Sequence, residues 1–315
     1  MPDLNILAIA GGVGGAKLAL GLSRVLAPDQ LTIVVNTGDD EIFHGLHVSP
    51  DLDTVTYALA GLTNRETGWG IADDSFRTLE ALGRLGAETW FGLGDIDMAT
   101  HIRRTELLGK GRTLSEATAE ITRHLGIEHP IVPMSDDPLR TIALTDEGEL
   151  AFQDYFVRRA CEPKITGVRF EERDKAWPSP GFSMALLKAD AIVFCPSNPL
   201  VSIGPVLAVP GVRDEVAAFT GPRIAVSPIV GGKALKGPAA KMMAELGRDV
   251  SSVGVARYYE GICDCLVIDT VDAAEASAVE ALGMDAVVTS TVMQSDDDKD
   301  RLARKILALA ERMDA

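Results

Sequence analysis

The chain has 315 residues, 46% hydrophobic and 24% charged, with a formal net charge of −16. It is long enough to bury a large core, and an acidic chain with no Lys/Arg run lacks the basic face of a nucleic-acid binder, so no nucleic-acid partner is expected. No stretch reaches the ~18 uninterrupted apolar residues of a membrane span, and the four cysteines (Cys161, Cys195, Cys263, Cys265) lack zinc-like spacing, so a cytoplasmic protein with reduced thiols and no membrane contact is expected.

The pattern begins with an apolar run at residues 5–10, NILAIA, followed by Gly11-Gly12-Val13-Gly14-Gly15-Ala16-Lys17. Leu18, Leu22, Val25 and Leu26 then fall on one face of a helix. A second apolar run at 31–35 leads into Asn36-Thr37-Gly38-Asp39-Asp40, and a further acidic segment reads Ser49-Pro50-Asp51-Leu52-Asp53-Thr54. Glycines let backbone N–H groups approach a ligand, and the helix that follows points its positive end at the same place. Carboxylates after the next strand are placed to hold a divalent cation on a phosphate.

Farther along, Thr113-Leu114-Ser115-Glu116 has the form of a capping box, with Gly126 placed as a helix stop. Residues 152–157 read as a strand. Short apolar strands at 191–194, 223–226 and 266–268 run into Cys195-Pro196-Ser197-Asn198-Pro199, into Ser227-Pro228 and into Asp269, and residues 300–313 form a closing amphipathic helix. Strands alternating with helices predict an α/β fold, a mostly parallel sheet covered on both faces with ligands at its carboxyl edge. The expectation is one α/β domain over 1–315, with a mostly helical insertion at about 65–180 walling the site.

Other polar clusters follow. In Leu93-Gly94-Asp95-Ile96-Asp97-Met98-Ala99-Thr100-His101, one Asp suits a helix cap, and His101 lies one turn beyond Asp97. Asn198 offers both a donor and an acceptor, suited to a base edge. Gly231-Gly232-Lys233 and Lys236-Gly237-Pro238 set two cations beside glycines. GGVGGAK matches neither GxGxxG nor GxxxxGK[ST], which disfavours NTPase chemistry.

Taken together and in order, GGVGGAKLALGL, NTGDD, HGLHVSPDLDT, GWG, LGDIDMATH, PMSDDP, FQDYFVRR, PSNPLVSIGPVL and SPIVGGKALKGPAAKMM resemble the 2-phospho-L-lactate transferases (CofD/FbiA) of deazaflavin coenzyme F(420) biosynthesis, over about residues 6–259. The resemblance implies a Rossmann-like three-layer core, a homodimer and Mg²⁺. It also implies transfer from a guanosine-diphosphate-activated three-carbon acid (2-phospholactate, phosphoenolpyruvate or phosphoglycerate). The acceptor would be the ribityl hydroxyl of 7,8-didemethyl-8-hydroxy-5-deazariboflavin, and GMP would be released. Carried onto this chain, Gly11, Gly12, Gly14, Gly15 and Lys17 would hold phosphates, with Lys236 a further phosphate contact. Asp39 and Asp53 would bind Mg²⁺ or orient the acceptor, with Asp53 the candidate base. Ser197 and Asn198 would read guanosine, while Asp95, Asp97 and His101 would line the acceptor side. Some family members carry a basic residue just before LGD, where this chain has Gly92. Two other readings stand beside this one. A nicotinamide-dependent Rossmann oxidoreductase would want GxGxxG and an acid after the second strand. A non-catalytic nucleotide sensor would need only the glycine turn.

Overall fold

The computed structural model describes residues 4–314. Seven parallel strands form the central sheet, in the order Asp285–Val288, Cys265–Ile268, Arg223–Val226, Ala191–Phe194, Ile6–Ala10, Leu31–Val35, Ile131–Pro133. The inner strands are continuous apolar runs because both faces are covered. Leu7 and Ile9 face one core with Phe182, Phe194 and Tyr259, while Ile6, Ala8 and Ala10 face the other with Leu18, Leu22 and Ile306. The second layer is built by the helix Gly12–Val25 and the closing helix Asp296–Asp314, which pack together as their apolar spacing predicts. The result is the Rossmann-like three-layer α/β fold expected from the sequence.

The chain leaves Ile6–Ala10 toward Leu31–Val35 on one side and returns to Ala191–Phe194 on the other. That reversal opens a crevice at the carboxyl ends of these two strands, where open parallel sheets bind ligands.

The insertion is helical only in its first half: Arg77–Arg84, Asp97–Gly109 and Leu114–His124. The last of these starts at the expected capping box, Thr113 Oγ1 accepting from Glu116 N at 3.2 Å and Glu116 accepting from Thr113 N at 3.1 Å. Ile131–Pro133 then joins the central sheet, and Gly148–Ala151, Arg140–Thr145 and Ile165–Glu171 form a separate antiparallel sheet. A mostly helical insertion is therefore corrected to a helical and a β half. The expected strand at 152–157 is instead a helical turn, with a π-helix at Asp154–Arg158. Phe152, Tyr155 and Phe156 stand at i, i+3, i+4, a helix face, and Phe152 stacks on Phe156 with centroids 5.6 Å apart.

Candidate active site

The crevice opens into a cavity of about 570 Å³. Of the residues singled out from the sequence, Gly11, Gly12, Gly14, Lys17, Asp39, Asp53, Asp97, His101, Ser197, Asn198 and Lys236 line it, whereas Gly15 and Asp95 do not.

The glycine turn is packed across the switch point. A Cβ on Gly14 would lie 2.2 Å from the Pro196 carbonyl oxygen, and one on Gly15 would lie 2.6 Å from Ser197 Oγ. Gly15 is thus a packing glycine that lets helix and loop touch, a correction to its phosphate-binding assignment. Gly11 N–H donates to Ser197 Oγ at 3.1 Å and Gly12 N–H to Asp51 Oδ1 at 2.6 Å, so neither is free for a phosphate. What the turn still offers an anion is the first-turn N–H groups of Val13 and Gly14, the positive helix end, and Lys17. Lys17 Nζ reaches Met293 O at 2.9 Å, and burial, then the nearby charges of Lys299 and Lys236, lower its pKa. Cations crowded this way are relieved by an anion.

The acidic loops converge on the same turn. Asn36 Nδ2 donates both to Asp39 Oδ1, at 3.1 Å, and to Asp51 Oδ2, at 2.9 Å, while Gln153 Nε2 donates to Asp39 Oδ2 at 3.2 Å. Burial, reinforced by the Asp51 and Asp40 charges, holds the Asp39 carboxyl well above the usual range. Burial also raises Asp51 to about 6, against the hydrogen bonds from Asn36 and Gly12. Asp53 is different. Both its oxygens are taken by buried Arg104, with Nη1 3.1 Å from Oδ2 and Nη2 on Oδ1. The carboxylates that converge are thus Asp39 and Asp51, joined by the Asn36 amide, and not the expected Asp39 and Asp53, because both oxygens of Asp53 are committed to a guanidinium. Asp51 and Asp53 lie two apart on the helix Pro50–Leu59, about 200° around its axis, so one faces the glycine turn and the other faces Asp97–Gly109. Nothing in the sequence tells which face is which.

The LGDID segment divides its labour. Asp95 lies outside the cavity. Its carboxylate accepts from Ser75 Oγ and from the N–H groups of Arg77 and Thr78 at the start of Arg77–Arg84, and these bonds pull its pKa down to about 2. It is a helix cap, which corrects its catalytic assignment. Asp97 opens the next helix without having to cap it, because Asp74 accepts from Ile96 N at 2.8 Å and Asp97 N at 3.0 Å. The Asp97 carboxylate is left to face the cavity, where Tyr57 Oη donates to Oδ1 at 2.6 Å. His101 is 1% exposed, with Nε2 3.2 Å from Asp97 Oδ1 and Nδ1 3.6 Å from Asp53 Oδ2. Tyr57, Asp74 and Arg104 escaped the sequence reading, and Asp51 was read only as part of an acidic segment. Arg104 carried a usable signal, standing one turn past His101 on the same face.

On the opposite wall, Asn198 Oδ1 accepts from Leu200 N at 3.0 Å, capping its own loop, and Nδ2 lies 3.7 Å from Met242 Sδ. The acceptor half of the amide is committed to the fold, so Nδ2 is the part left for a base. A Cβ on Gly92 would meet only Phe76 and Trp69, at 3.8 and 3.9 Å. Of the two acids after the second strand, Asp39 lines the cavity and Asp40 does not. Asp39 is engaged by Asn36 and Gln153, and Asp40 by His47 at 2.9 Å and Ser49 at 2.7 Å.

The family model of 2-phospho-L-lactate transferase CofD matches residues 6–308. The chain is 41% identical to a phosphoenolpyruvate transferase of Streptomyces griseus, covering 99% of this chain and 100% of that one. It is also 41% identical to a 2-phospho-L-lactate transferase of Methanopyrus kandleri, covering 99% of both. Among solved structures, a UPF0052 family member from Bacillus halodurans superposes with a TM-score of 0.64 at 17% identity, covering 98% of this chain and 99% of that one, a likeness of fold.

Proposed function

The chain belongs to the 2-phospho-L-lactate transferase CofD family, and from that premise we propose that it transfers a phosphorylated three-carbon acid, 2-phospholactate or phosphoenolpyruvate, in coenzyme F(420) biosynthesis. The donor is the acid activated as its guanosine diphosphate ester, and the acceptor is the ribityl hydroxyl of 7,8-didemethyl-8-hydroxy-5-deazariboflavin. The hydroxyl oxygen forms a bond to the phosphorus next to the acid. The bridging P–O bond breaks with its electron pair, and GMP leaves.

The observation that carries this reading is the set of groups that share one cavity. The start of Gly12–Val25 with Lys17 and Lys236 supplies positive charge for a diphosphate. Asp39 and Asp51, and Tyr57, Asp97 and His101, line the same cavity, with Trp69, Phe91, Phe152 and Phe156 offering apolar wall to a tricyclic ring. Asp39 and Asp51 fit Mg²⁺: two buried carboxylates share one amide donor and repel each other as long as no cation lies between them. Among the described residues no third His, Cys, Asp or Glu completes a protein cage, which suits an ion that keeps waters and substrate phosphates as ligands. Bound there, Mg²⁺ would neutralise charge on the diphosphate. Positioning does the rest, since the hydroxyl must lie in line with the breaking bond.

Product mass spectrometry with each activated acid, acceptor and Mg²⁺ tests the reading. A phosphodiester of the deazariboflavin is expected with at least one donor; its absence with all of them would overturn it.

A further inference from the structure

We infer that Asp97 is the group that takes the proton of the attacking hydroxyl, held for that task by Tyr57 and by a His101 whose tautomer Arg104 fixes. The inference rests on the transferase reading above and concerns which side chain serves it.

Four carboxylates face the cavity. Asp53 gives both oxygens to Arg104. Asp39 and Asp51 are the pair that would hold Mg²⁺, and each already accepts on both oxygens, from Asn36 and Gln153 and from Gly12 and Asn36. Only Asp97 keeps an oxygen in reserve. Tyr57 holds Oδ1 at 2.6 Å, and no hydrogen bond among the described residues reaches Oδ2. Its side chain is 14% exposed, open to the cavity yet held. Tyr57 remains a donor, because burial and the neighbouring Asp53 and Asp97 charges push its pKa well above the usual value.

His101 is the obvious rival, and its geometry argues against it. Arg104 Nη1 lies 3.4 Å from His101 Nδ1. A guanidinium only donates, so this contact assigns Nδ1 as acceptor and places the ring proton on Nε2, with Nη1 also donating to Asp53 Oδ2 at 3.1 Å and to His47 O at 3.3 Å. Asp53 Oδ2, 3.6 Å from Nδ1, is beyond hydrogen-bond reach and already accepts from Arg104. The ring's lone pair is thus buried against Arg104. Its Nε2–H stands 3.2 Å from Asp97 Oδ1, and Nε2 has no aligned partner among the described residues. His101 is a positioning donor that tightens onto Asp97 when substrate arrives; apo contacts of this kind are commonly long. In the transfer the hydroxyl proton moves to Asp97 Oδ2 as the O–P bond forms, and the electron pair of the breaking P–O bond goes to the departing GMP.

The test combines acceptor-dependent GMP release, calorimetric binding of the activated donor, and ¹⁵N NMR of histidine-labelled protein. Asp97→Asn is expected to lose on the order of 10²–10⁴ in kcat, as expected for loss of a general base, at unchanged donor affinity, and Asp97→Glu to recover part of it. Tyr57→Phe, which deletes one hydroxyl, is expected to lose roughly tenfold in kcat with donor binding intact, and it decides the matter if Asp97→Asn does not fold. The NMR spectrum of the wild-type chain is expected to show His101 protonated at Nε2. Wild-type rates in Asp97→Asn, or in Tyr57→Phe where that variant decides, overturn the base assignment while leaving the transferase reading standing. So does equal loss of rate and donor affinity with no recovery in Asp97→Glu. A proton on Nδ1 overturns the role of Arg104. A wild-type chain that makes no phosphodiester overturns the transferase reading and this inference with it.

Discussion

Replacing Arg104 by Met removes the guanidinium that holds Asp53. Arg104 is 3% exposed. Burial works against its charge, but the charge and hydrogen bonds of Asp53 outweigh that and keep its pKa above the usual value. The variant leaves Asp53 buried with no guanidinium on its oxygens, a loss of about 3–5 kcal/mol. A chain of 315 residues has an unfolding entropy of about 0.66 kcal/mol/K, so Tm should fall by about 5–8 °C. The pair Asp53→Asn/Arg104→Met removes both charges and should cost less than the two single variants added together, because each single variant strands its partner. Scanning calorimetry on the four proteins measures this. A single variant melting within about 2 °C of wild type, or strict additivity in the double variant, would refute the view that this ion pair clamps Pro50–Leu59 onto Asp97–Gly109.

Three further outcomes follow from the site. Gly14→Ala drives a Cβ against the Pro196 carbonyl and should cost about 1–3 kcal/mol by overpacking; a wild-type Tm would show that the switch-point loops are not tightly packed. Asp51, raised to about 6 from 3.8, contributes stability that is present at low pH and lost as pH rises through about 6, since the native state holds the proton more tightly. Metal-free protein should therefore lose Tm between about pH 4 and 6.5 more steeply than Asp51→Asn, and Mg²⁺ should restore the wild type selectively; parallel curves would contradict this. Asp95→Asn should lower Tm, with an acid-labile component below the usual carboxylate range because Asp95 is held at about 2, yet leave kcat unchanged; a large kcat loss would return Asp95 to the catalytic group.

The five inner strands of the sheet were legible because they are unbroken apolar runs, each ending in a polar motif, and that alone located the cavity; the edge strands Ile131–Pro133 and Asp285–Val288, three and four residues long, were not. The glycine turn was legible as a place but not as a contact map. That Gly11 and Gly12 give their N–H groups to Ser197 and Asp51 depends on loops 39 and 186 residues away. The acidic motifs showed which segments matter but not which oxygen faces which neighbour, since Asp51 and Asp53 differ only by a rotation about one helix. Asp95 and Asp97 exchanged their expected likeness for opposite duties because Asp74, 23 residues before Asp97, takes over the helix start. The antiparallel half of the insertion was hidden by strands only 4–7 residues long with weak alternation.

Acceptor-dependent release of GMP is the most direct measurement of the central claim. Purified chain, Mg²⁺ and a guanosine-diphosphate-activated phospholactate or phosphoenolpyruvate should release one GMP per phosphodiester formed, and almost none when the deazariboflavin is left out. GMP release that is indifferent to the acceptor, or acceptor consumed without GMP, would contradict it.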